Sequence, residues 1–278
     1  MNIKVVLLFI VINILLFAQY TSNSENDILV NTGEGKVDFT TYTIYADATA
    51  DIITDKVLHP EALLILQQQA EEESIRALYD TLGSVLVNND YTIYKLMSDN
   101  KILMENIMGT LNKARLLGVS YPTRTSVKVL MALDLVTNNL VSSFLSNVNT
   151  YRTEPIVTYF DTGTDYDSLV IDARNINFNP SLFPTIYNED GEAIYDVSYI
   201  NKDVALTNAY ITYSTTPYLT NKSVSNIVGK KPYNVVAWSS RGRNNADLVI
   251  GNEDASIILS SRKLREAIKN CKVIFIID

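Results

Sequence analysis

Few side chains of this chain are of the types that perform catalysis. His59 is the only histidine, so neither a histidine-based triad nor a multi-histidine zinc site can be assembled within one chain. Its position before Pro60 favours a role at the start of a helix. The single cysteine, Cys271, precedes the apolar run 273–277 and is predicted to be a small buried hydrophobic residue.

Aspartates form the next candidate group. The segment 160–164, Phe-Asp-Thr-Gly-Thr, matches the active-site loop of aspartic proteases, in which two such loops contribute aspartates that share a proton. No second loop of this kind occurs, so catalysis would require a homodimer, and an exposed turn is favoured. Four aspartates could also hold calcium through oxygen ligands: Asp161, Asp165, Asp167 and Asp172. Their spacing is not that of a twelve-residue calcium loop, which favours a solvated acidic turn.

Arg241 and Arg243 flank a glycine and precede two asparagines. This pattern could bind an anion through guanidinium groups and loop amides, and the alternative is a glycine loop between two buried strands. No glycine-rich nucleotide motif follows a predicted strand. The sequence therefore predicts no catalytic residue, no metal ligand and no cofactor, and it offers Arg241 and Arg243 as candidates for anion or partner binding.

The charge balance restricts the class of partner. The net charge is -8, and no run of lysines and arginines occurs. A nucleic-acid partner is excluded on this ground, because phosphate binding needs clustered basic side chains. Hydrophobic residues make up 47% of the chain and charged residues 19%, a balance typical of a folded protein.

The first eighteen residues have the layout of a secretory signal peptide. Lys4 lies in a short basic region, an apolar stretch runs from Val5 to Phe17, and cleavage is predicted between Ala18 and Gln19. The apolar stretch is too short to span a bilayer, although an uncleaved tether is the alternative. We expect export to the periplasm or outer envelope, and peripheral association with a membrane stays open.

Hydrophobic periodicity predicts the elements of both halves. The first half should contain strand 36–50, a helix opening at Pro60, a second helix ending at Gly118, strand 125–135 and a short helix in 136–145. The second half shows short apolar runs at 169–171, 235–237, 248–250 and 273–277, which favour strands buried on both faces. Between them, Gly191 should turn a β-hairpin, and Asn252 should cap a helix.

These elements predict an α+β protein with two domains. After the signal peptide at 1–18 and a polar leader at 19–34, an α+β domain of strand, helix, helix and strand should occupy 35–150. Residues 150–155 are predicted to be a linker. A second α/β domain, with a buried mixed sheet, should occupy 155–278.

Several stretches resemble a family of bacterial envelope proteins. In the first half they are Gly33-Glu34-Gly35 leading into 37–50, the helix ending in Leu82-Gly83-Ser84-Val85, and strand 127–135. In the second half they are 168–174 (SLVIDAR), 179–187 (NPSLFPTIY), 189–195 (EDGEAIY), 246–250 (ADLVI) and 252–255 (NEDA). The plan is similar to the twenty-kilodalton lipoprotein family and to the amino-terminal domain of the flagellar assembly protein FlgT.

That resemblance implies a non-catalytic envelope protein that assembles with envelope or flagellar partners. The chain lacks the cysteine that carries a lipid in lipoproteins, so anchoring by lipid is not expected. Two alternatives stay open. One is a secreted hydrolase that uses acidic residues, since the separation of paired carboxylates is a property of the fold. The other is a periplasmic protein that binds an anion or small ligand through Arg241 and Arg243.

Overall fold

The computed structural model of the chain describes residues 27–54, 59–148, 161, 163–201, 204–205, 209–216 and 227–278. The predicted signal peptide, with its cleavage site between Ala18 and Gln19, and the predicted linker 150–155 lie outside the described residues. In the described ranges, no helix combines the length and apolarity needed to cross a membrane. Helices and several sheets occur together, which confirms the predicted α+β class.

The chain forms two compact units whose segments alternate along the sequence. One unit contains the described residues up to Ser84 together with Met104–Asp134. The other contains Val85–Leu103 and Leu135–Asp278. This division differs from the single boundary predicted at 150–155. The chain leaves the first unit after Ser84, enters the second unit, and returns to the first unit at Met104.

Backbone pairing explains why the segment 85–103 belongs to the second unit. The N–H groups of Leu182 and Phe183 donate to the carbonyl oxygens of Leu86 and Val87, at 3.0 and 2.8 Å. These bonds join parts of the chain that are distant in sequence. Patterns of hydrophobicity report on local structure and carry no information about such pairings.

Five strands of the described residues form the sheet of the first unit, all in antiparallel pairs. They are β1 (Leu29–Thr32), β2 (Gly35–Asp38), β3 (Thr43–Asp51), β4 (Arg115–Thr123) and β5 (Ser126–Asp134). Their order is β1-β2-β3-β5-β4. The longest pairing joins β3 to β5 at the centre of this sheet.

Helix α1 (Pro60–Ser84) packs against β3 and β5. It begins at Pro60, as predicted, because proline lacks the N–H that a first helical residue leaves unpaired. Leu66, Ala70 and Leu78 are buried on its inner face. A buried polar group joins the layers: the Ser74 hydroxyl lies 2.7 Å from the Ala70 carbonyl oxygen and 3.1 Å from that of Val129 on β5.

The prediction of one strand over 36–50 was wrong, because a tight turn divides it into β2 and β3. The Asp38 carboxylate accepts hydrogen bonds from the Thr40 N–H at 2.8 Å and the Thr41 hydroxyl at 2.6 Å. Tyr42 closes the turn with a left-handed φ of 54°. Aspartate side chains often bond the backbone a few residues further on and so stabilise a turn. The alternation of apolar and polar residues continues on both sides of Asp38, so the sequence pattern does not show this turn.

The second helix was also predicted too long. It is two helices, α2 (Ile93–Asp99) and α3 (Lys101–Leu111), separated at Asn100. Asn100 is extended, and its side-chain oxygen accepts the Leu103 N–H at 3.1 Å, which caps the following helix. Gly118 does not end a helix. It lies in β4 beside an irregularity in the pairing with β5.

The second unit contains α4 (Leu140–Leu145), α5 (Asn252–Ser260), α6 (Arg262–Lys269) and two four-stranded sheets within the described residues. The first sheet has the order β10-β6-β13-β9 and is parallel throughout; its strands are β6 (Ser168–Asp172), β9 (Thr212–Ser214), β10 (Pro232–Val236) and β13 (Val273–Ile276). The second has the order β11-β12-β7-β8; its strands are β7 (Ile186–Tyr187), β8 (Ala193–Tyr195), β11 (Ser239–Arg241) and β12 (Asp247–Val249). One mixed sheet was predicted, and its strands divide between these two.

Two strands of the parallel sheet, β6 and β13, are buried as their apolar runs predict, but the prediction for the run 235–237 was wrong, because β10 is an edge strand on which Val236 is 67% exposed. All four residues of β13 are buried, and so are Ser168–Ile171 of β6. An aromatic cluster packs nearby: Phe275 contacts Tyr213 and Phe178 edge to face, with centroid distances of 5.8 Å for both pairs. Gly191, at φ 82°, turns the predicted hairpin between β7 and β8.

Replacing Gly35 with alanine should lower the stability of the first unit. A Cβ at this position would lie 2.2 Å from the Tyr45 carbonyl oxygen and 2.6 Å from the Thr81 hydroxyl. We expect a loss of about 1–3 kcal/mol in the free energy of unfolding, measured in urea. Gly109→Ala is the matched control, since a Cβ there meets nothing within 4 Å and alanine favours a helix interior by about 0.5–1 kcal/mol. Equal effects of the two substitutions would contradict the prediction.

Cys271 is buried in the second unit, as expected. Burial raises the pKa of its thiol to about 11, and a hydrogen bond with Tyr195 offsets part of that rise. The folded chain at pH 8 should therefore react with a thiol reagent far more slowly than the urea-unfolded chain. In the folded chain the sulfur is buried and little of the thiol is ionised to the reactive thiolate. Fast and complete modification of the folded protein would show that Cys271 is accessible.

Candidate functional site

Arg241 ends β11 and lies against the neighbouring hairpin. Its guanidinium carbon is 4.3 Å from the centroid of the Tyr187 ring, in a cation–π contact. A Cβ placed on Gly191 would lie 3.0 Å from a guanidinium nitrogen, so the hairpin turn packs directly beside it. Arg241 thus fastens the β7–β8 turn to β11 while the residue itself stays exposed.

Arg243 lies in the turn between β11 and β12 and is exposed. The anion-binding hypothesis requires this guanidinium and free amides of the same turn. The structure places the Arg241 guanidinium against the Tyr187 ring. Of the predicted pair, only Arg243 has a guanidinium that does not pack on an aromatic ring of the described residues.

The amides of this turn bind Asn89. The Asn89 side-chain oxygen accepts the N–H groups of Asn244 and Ala246, each at 3.1 Å. Its amide nitrogen donates to the Arg241 carbonyl oxygen at 2.9 Å. A Cβ on Gly242 would lie 2.3 Å from the Asn89 amide carbon, so the glycine is required for this close approach. Asn89 therefore holds the donors that the anion hypothesis assigns to a ligand.

Sequence reasoning missed Asn89. The triplet 88–90, Asn-Asn-Asp, indicates a loop, and its partner Ala246 lies 157 residues further along the chain. Burial of an asparagine requires partners for both of its polar atoms, and nothing near it in sequence supplies them.

The four predicted aspartates do not converge on one site. Asp172 lies at the end of β6 and forms an ion pair with Arg174, whereas the other three lie before the start of β6. Among the described residues, no group of three or more histidine, cysteine, aspartate or glutamate side chains is arranged to hold a metal ion.

Asp161 and Asp165 each face basic side chains. The Asp161 carboxylate accepts the Gly163 N–H at 3.1 Å and that of Arg262 at 3.3 Å, and these bonds lower its pKa. Lys263, at 3.0 Å from the Asp165 carboxylate, lowers the pKa of Asp165, and Lys231 adds to the effect. Asp161 of the protease motif is therefore an exposed, ion-paired aspartate, and Thr162 of the same motif lies outside the described residues.

Asp167 fixes the start of the parallel sheet. Its carboxylate accepts the N–H groups of Lys230 at 2.8 Å and Lys231 at 3.0 Å. Burial by itself would raise the pKa of Asp167, but these two bonds lower it overall. The residue that the calcium hypothesis assigned to a metal thus holds the chain leading into β10.

Two buried aspartates that the sequence did not reveal are Asp247, in β12 of the second sheet, and Asp196, which directly follows β8. The Asp247 carboxylate accepts the Thr185 N–H at 2.7 Å. Asp196 accepts the N–H and hydroxyl of Ser198, at 2.9 and 2.8 Å. Both carboxylates bond groups of their own unit and hold the ends of β7 and β8 in place.

Trp238 is a large apolar residue exposed on the surface of the second unit. Its side chain is 63% exposed, although its N–H donates to the Val249 carbonyl oxygen at 2.8 Å and fixes the backbone. A Cβ on Gly251 would lie 3.3–3.4 Å from three atoms of the indole, so the ring rests on the bare glycine. Val236, 67% exposed, precedes it by two residues on the edge strand β10.

The start of α5 lies directly beside this ring. Asn252 was predicted to cap the helix, but the N-cap is Gly251 and makes no side-chain bond. The Glu189 carboxylate accepts the Asn252 N–H at 2.8 Å, and the Asn252 amide donates to Asp190 at 3.1 Å. The hairpin turn therefore supplies the cap, and its negative charge suits the positive end of the helix.

We call the region formed by Trp238, Val236, Arg241 and the turn 188–192 the Trp238 surface. It consists of an aromatic ring held flat on the backbone, an exposed valine, a stacked guanidinium and several carboxylates. Fold and surface together define an α+β protein of two compact units, with a rigid aromatic surface on the second.

A comparison with known families concerns this second unit. Residues 168–278 match a family model described as Treponema pallidum Tp0624, second domain. The match begins at β6 and includes the whole Trp238 surface, and it covers less than half of the chain. No curated protein matches the chain. Residues 168–278 are thus similar to the second domain of Tp0624, and the expected likeness to the twenty-kilodalton lipoprotein family and FlgT stays a prediction.

Replacing Asn89 with alanine should destabilise the second unit, because two amide donors and one carbonyl would lose their partner. We expect a fall of about 1–3 kcal/mol in the free energy of unfolding, measured by urea denaturation. Asp90→Ala is the control, since Asp90 is adjacent and exposed, and should change stability by less than about 0.5 kcal/mol. A neutral Asn89→Ala would show that the β11–β12 turn holds its conformation unaided.

Proposed function

We propose that this chain is a non-catalytic structural or assembly protein of the bacterial cell envelope that binds other envelope proteins. The Trp238 surface is the part of the molecule to which we assign that binding. Flagellar components are the narrower candidates for partners, from the resemblance to FlgT. Export to the periplasm or outer envelope is part of the proposal, from the signal-peptide pattern of Met1–Ala18.

The observation that supports binding most directly is the exposure of Trp238. An indole has a large apolar area, and leaving most of it in water forfeits the gain from burial. Few rotamer states are lost when a partner covers this ring, because Gly251 already supports one face. Tryptophan and arginine are among the residues that dominate the binding energy of protein interfaces, and the exposed Arg241 follows Trp238 by three residues.

The likeness to the Tp0624 second domain covers the region to which we assign binding. The matching region contains every element that builds the Trp238 surface, from β7 to α5. The net charge of -8 favours protein partners over nucleic acid.

Affinity purification of the tagged full chain from gently solubilised envelopes of its own organism tests the proposal. Trp238→Ala should reduce recovery of co-purifying envelope proteins at least about tenfold, as expected for loss of a central interface residue. Mass spectrometry identifies the partners, and flagellar basal-body components among them would support the narrower assignment.

Tyr121→Ala provides the matched control. Tyr121 is an aromatic residue of the first unit with 54% exposure, so its loss removes a similar side chain elsewhere. It should leave recovery unchanged. A free monomer without partners, or equal recovery with Trp238→Ala and wild type, would overturn the proposal. Far-ultraviolet circular dichroism and urea unfolding confirm that both variants fold.

A further inference from the structure

Three exposed carboxylates belong to the two elements that meet beside Gly251, on which Trp238 rests. Glu189 and Asp190 belong to the β7–β8 turn, and Glu253 lies in the first turn of α5. The first two are hydrogen-bonded to Asn252, which is uncharged, and the nearby Arg241 guanidinium, which packs on Gly191 of the same turn, offsets only part of the negative charge. Within the described residues, none of the three lies within ion-pair distance of a lysine or arginine.

Contacts with the peptide between Gly251 and Asn252 set how far these charges are from the indole. The ring lies 3.3–3.4 Å from the Cβ position of Gly251, and the Glu189 carboxylate lies 2.8 Å from the Asn252 nitrogen. With standard bond lengths, the carboxylate and the ring are no more than about 10 Å apart. That is about one Debye length at 0.1 M salt, so the charge acts on anything that covers the ring.

Neighbouring groups also indicate negative charge at this end of α5. The Tyr233 hydroxyl donates to the Asp254 carboxylate at 2.6 Å. Burial raises the pKa of Tyr233, and the charges of Asp254 and Glu253 raise it further. Asp254 thus adds a fourth carboxylate whose partner is a neutral hydroxyl.

The acidic residues before β6 differ from this group. Asp165 faces Lys263 and Lys231, and Asp161 faces Arg262, so their charges are compensated within the chain. Among the described side chains near Trp238, Arg241 is the one whose guanidinium contacts the β7–β8 turn. It packs on Tyr187 and Gly191. Glu189 and Asp190 instead contact Asn252 and the start of α5.

We infer that the Trp238 surface binds a basic segment of a partner protein, with a lysine or arginine side chain lying on the indole and the carboxylates of Glu189, Asp190 and Glu253 around it. A cation over an indole face is the strongest cation–π pair that proteins form. Flanking carboxylates speed the encounter and disfavour acidic partners. This inference rests on the proposed function and specifies the chemistry of the partner.

Intrinsic fluorescence offers a direct test, because Trp238 is the only tryptophan in the chain. The probes are a hexalysine peptide and a hexaglutamate peptide, titrated into the full chain at low salt. Hexalysine should change the emission saturably, and hexaglutamate should not. Raising the salt to about 0.5 M should weaken the hexalysine response at least about tenfold.

Charge variants locate the effect. Glu253→Lys should weaken hexalysine binding at least about tenfold, and Glu253→Gln should weaken it by a smaller factor. Glu72→Lys, an exposed position on α1 in the first unit, makes the same change in net charge and should have little effect. Glu253→Gln also serves if lysine in the first turn of α5 disturbs folding.

Equal responses to both peptides, or equal weakening by Glu253→Lys and Glu72→Lys, would overturn the inference. Its failure can be separated from failure of the proposed function. If Trp238→Ala abolishes capture of envelope partners but salt and Glu253→Lys leave capture unchanged, the surface binds a partner of different chemistry. If no partner depends on Trp238, the proposed function itself fails.

Discussion

The second unit depends on the burial of β13 between β6 and β9 in an all-parallel sheet. A parallel sheet must be covered on both faces, so all four residues of β13 are apolar and buried. β6 and β13 are joined by a long stretch of chain that contains the whole second sheet and the two helices before β13. Everything that forms the Trp238 surface is therefore built within that connection.

Several polar side chains of the described residues hold turns and loops through hydrogen bonds to the backbone. Asp38, Asn89 and Asp167 each accept hydrogen bonds from N–H groups of a turn or loop. Loops need such partners, since buried or constrained amides without acceptors are costly. Asp167, a calcium candidate in the sequence, thus binds the backbone that leads into β10, and its spacing gives no hint of this contact.

The surface of the second unit combines rigidity with exposed apolar area. Trp238 is held by a backbone hydrogen bond and by the bare face of Gly251. Arg241 is held on Tyr187, and the acidic turn between them is held by Asn252. Pre-ordered side chains lose little entropy on binding, which is the physical basis for assigning partner binding to this region. The match to the Tp0624 domain covers the same elements.

Much of the architecture could be predicted from local patterns. The α+β class, the start of α1 at Pro60, the buried strands β6 and β13 and the hairpin at Gly191 all follow from periodicity and turn chemistry. The failures are equally local in origin. The alternation over 36–50 continues through the turn at Tyr42, and the helical pattern continues through Asn100, so neither break could be seen.

Tertiary structure alone decided the rest. The sequence determined which segments are apolar enough to be buried, because burial depends on side-chain type and period. It could not place residues 85–103 with the second unit or give Asn89 its partner across 157 residues. Nor could it show that Trp238 is exposed, since a tryptophan among apolar residues is expected inside. These features depend on pairings between distant segments, which only the folded chain defines.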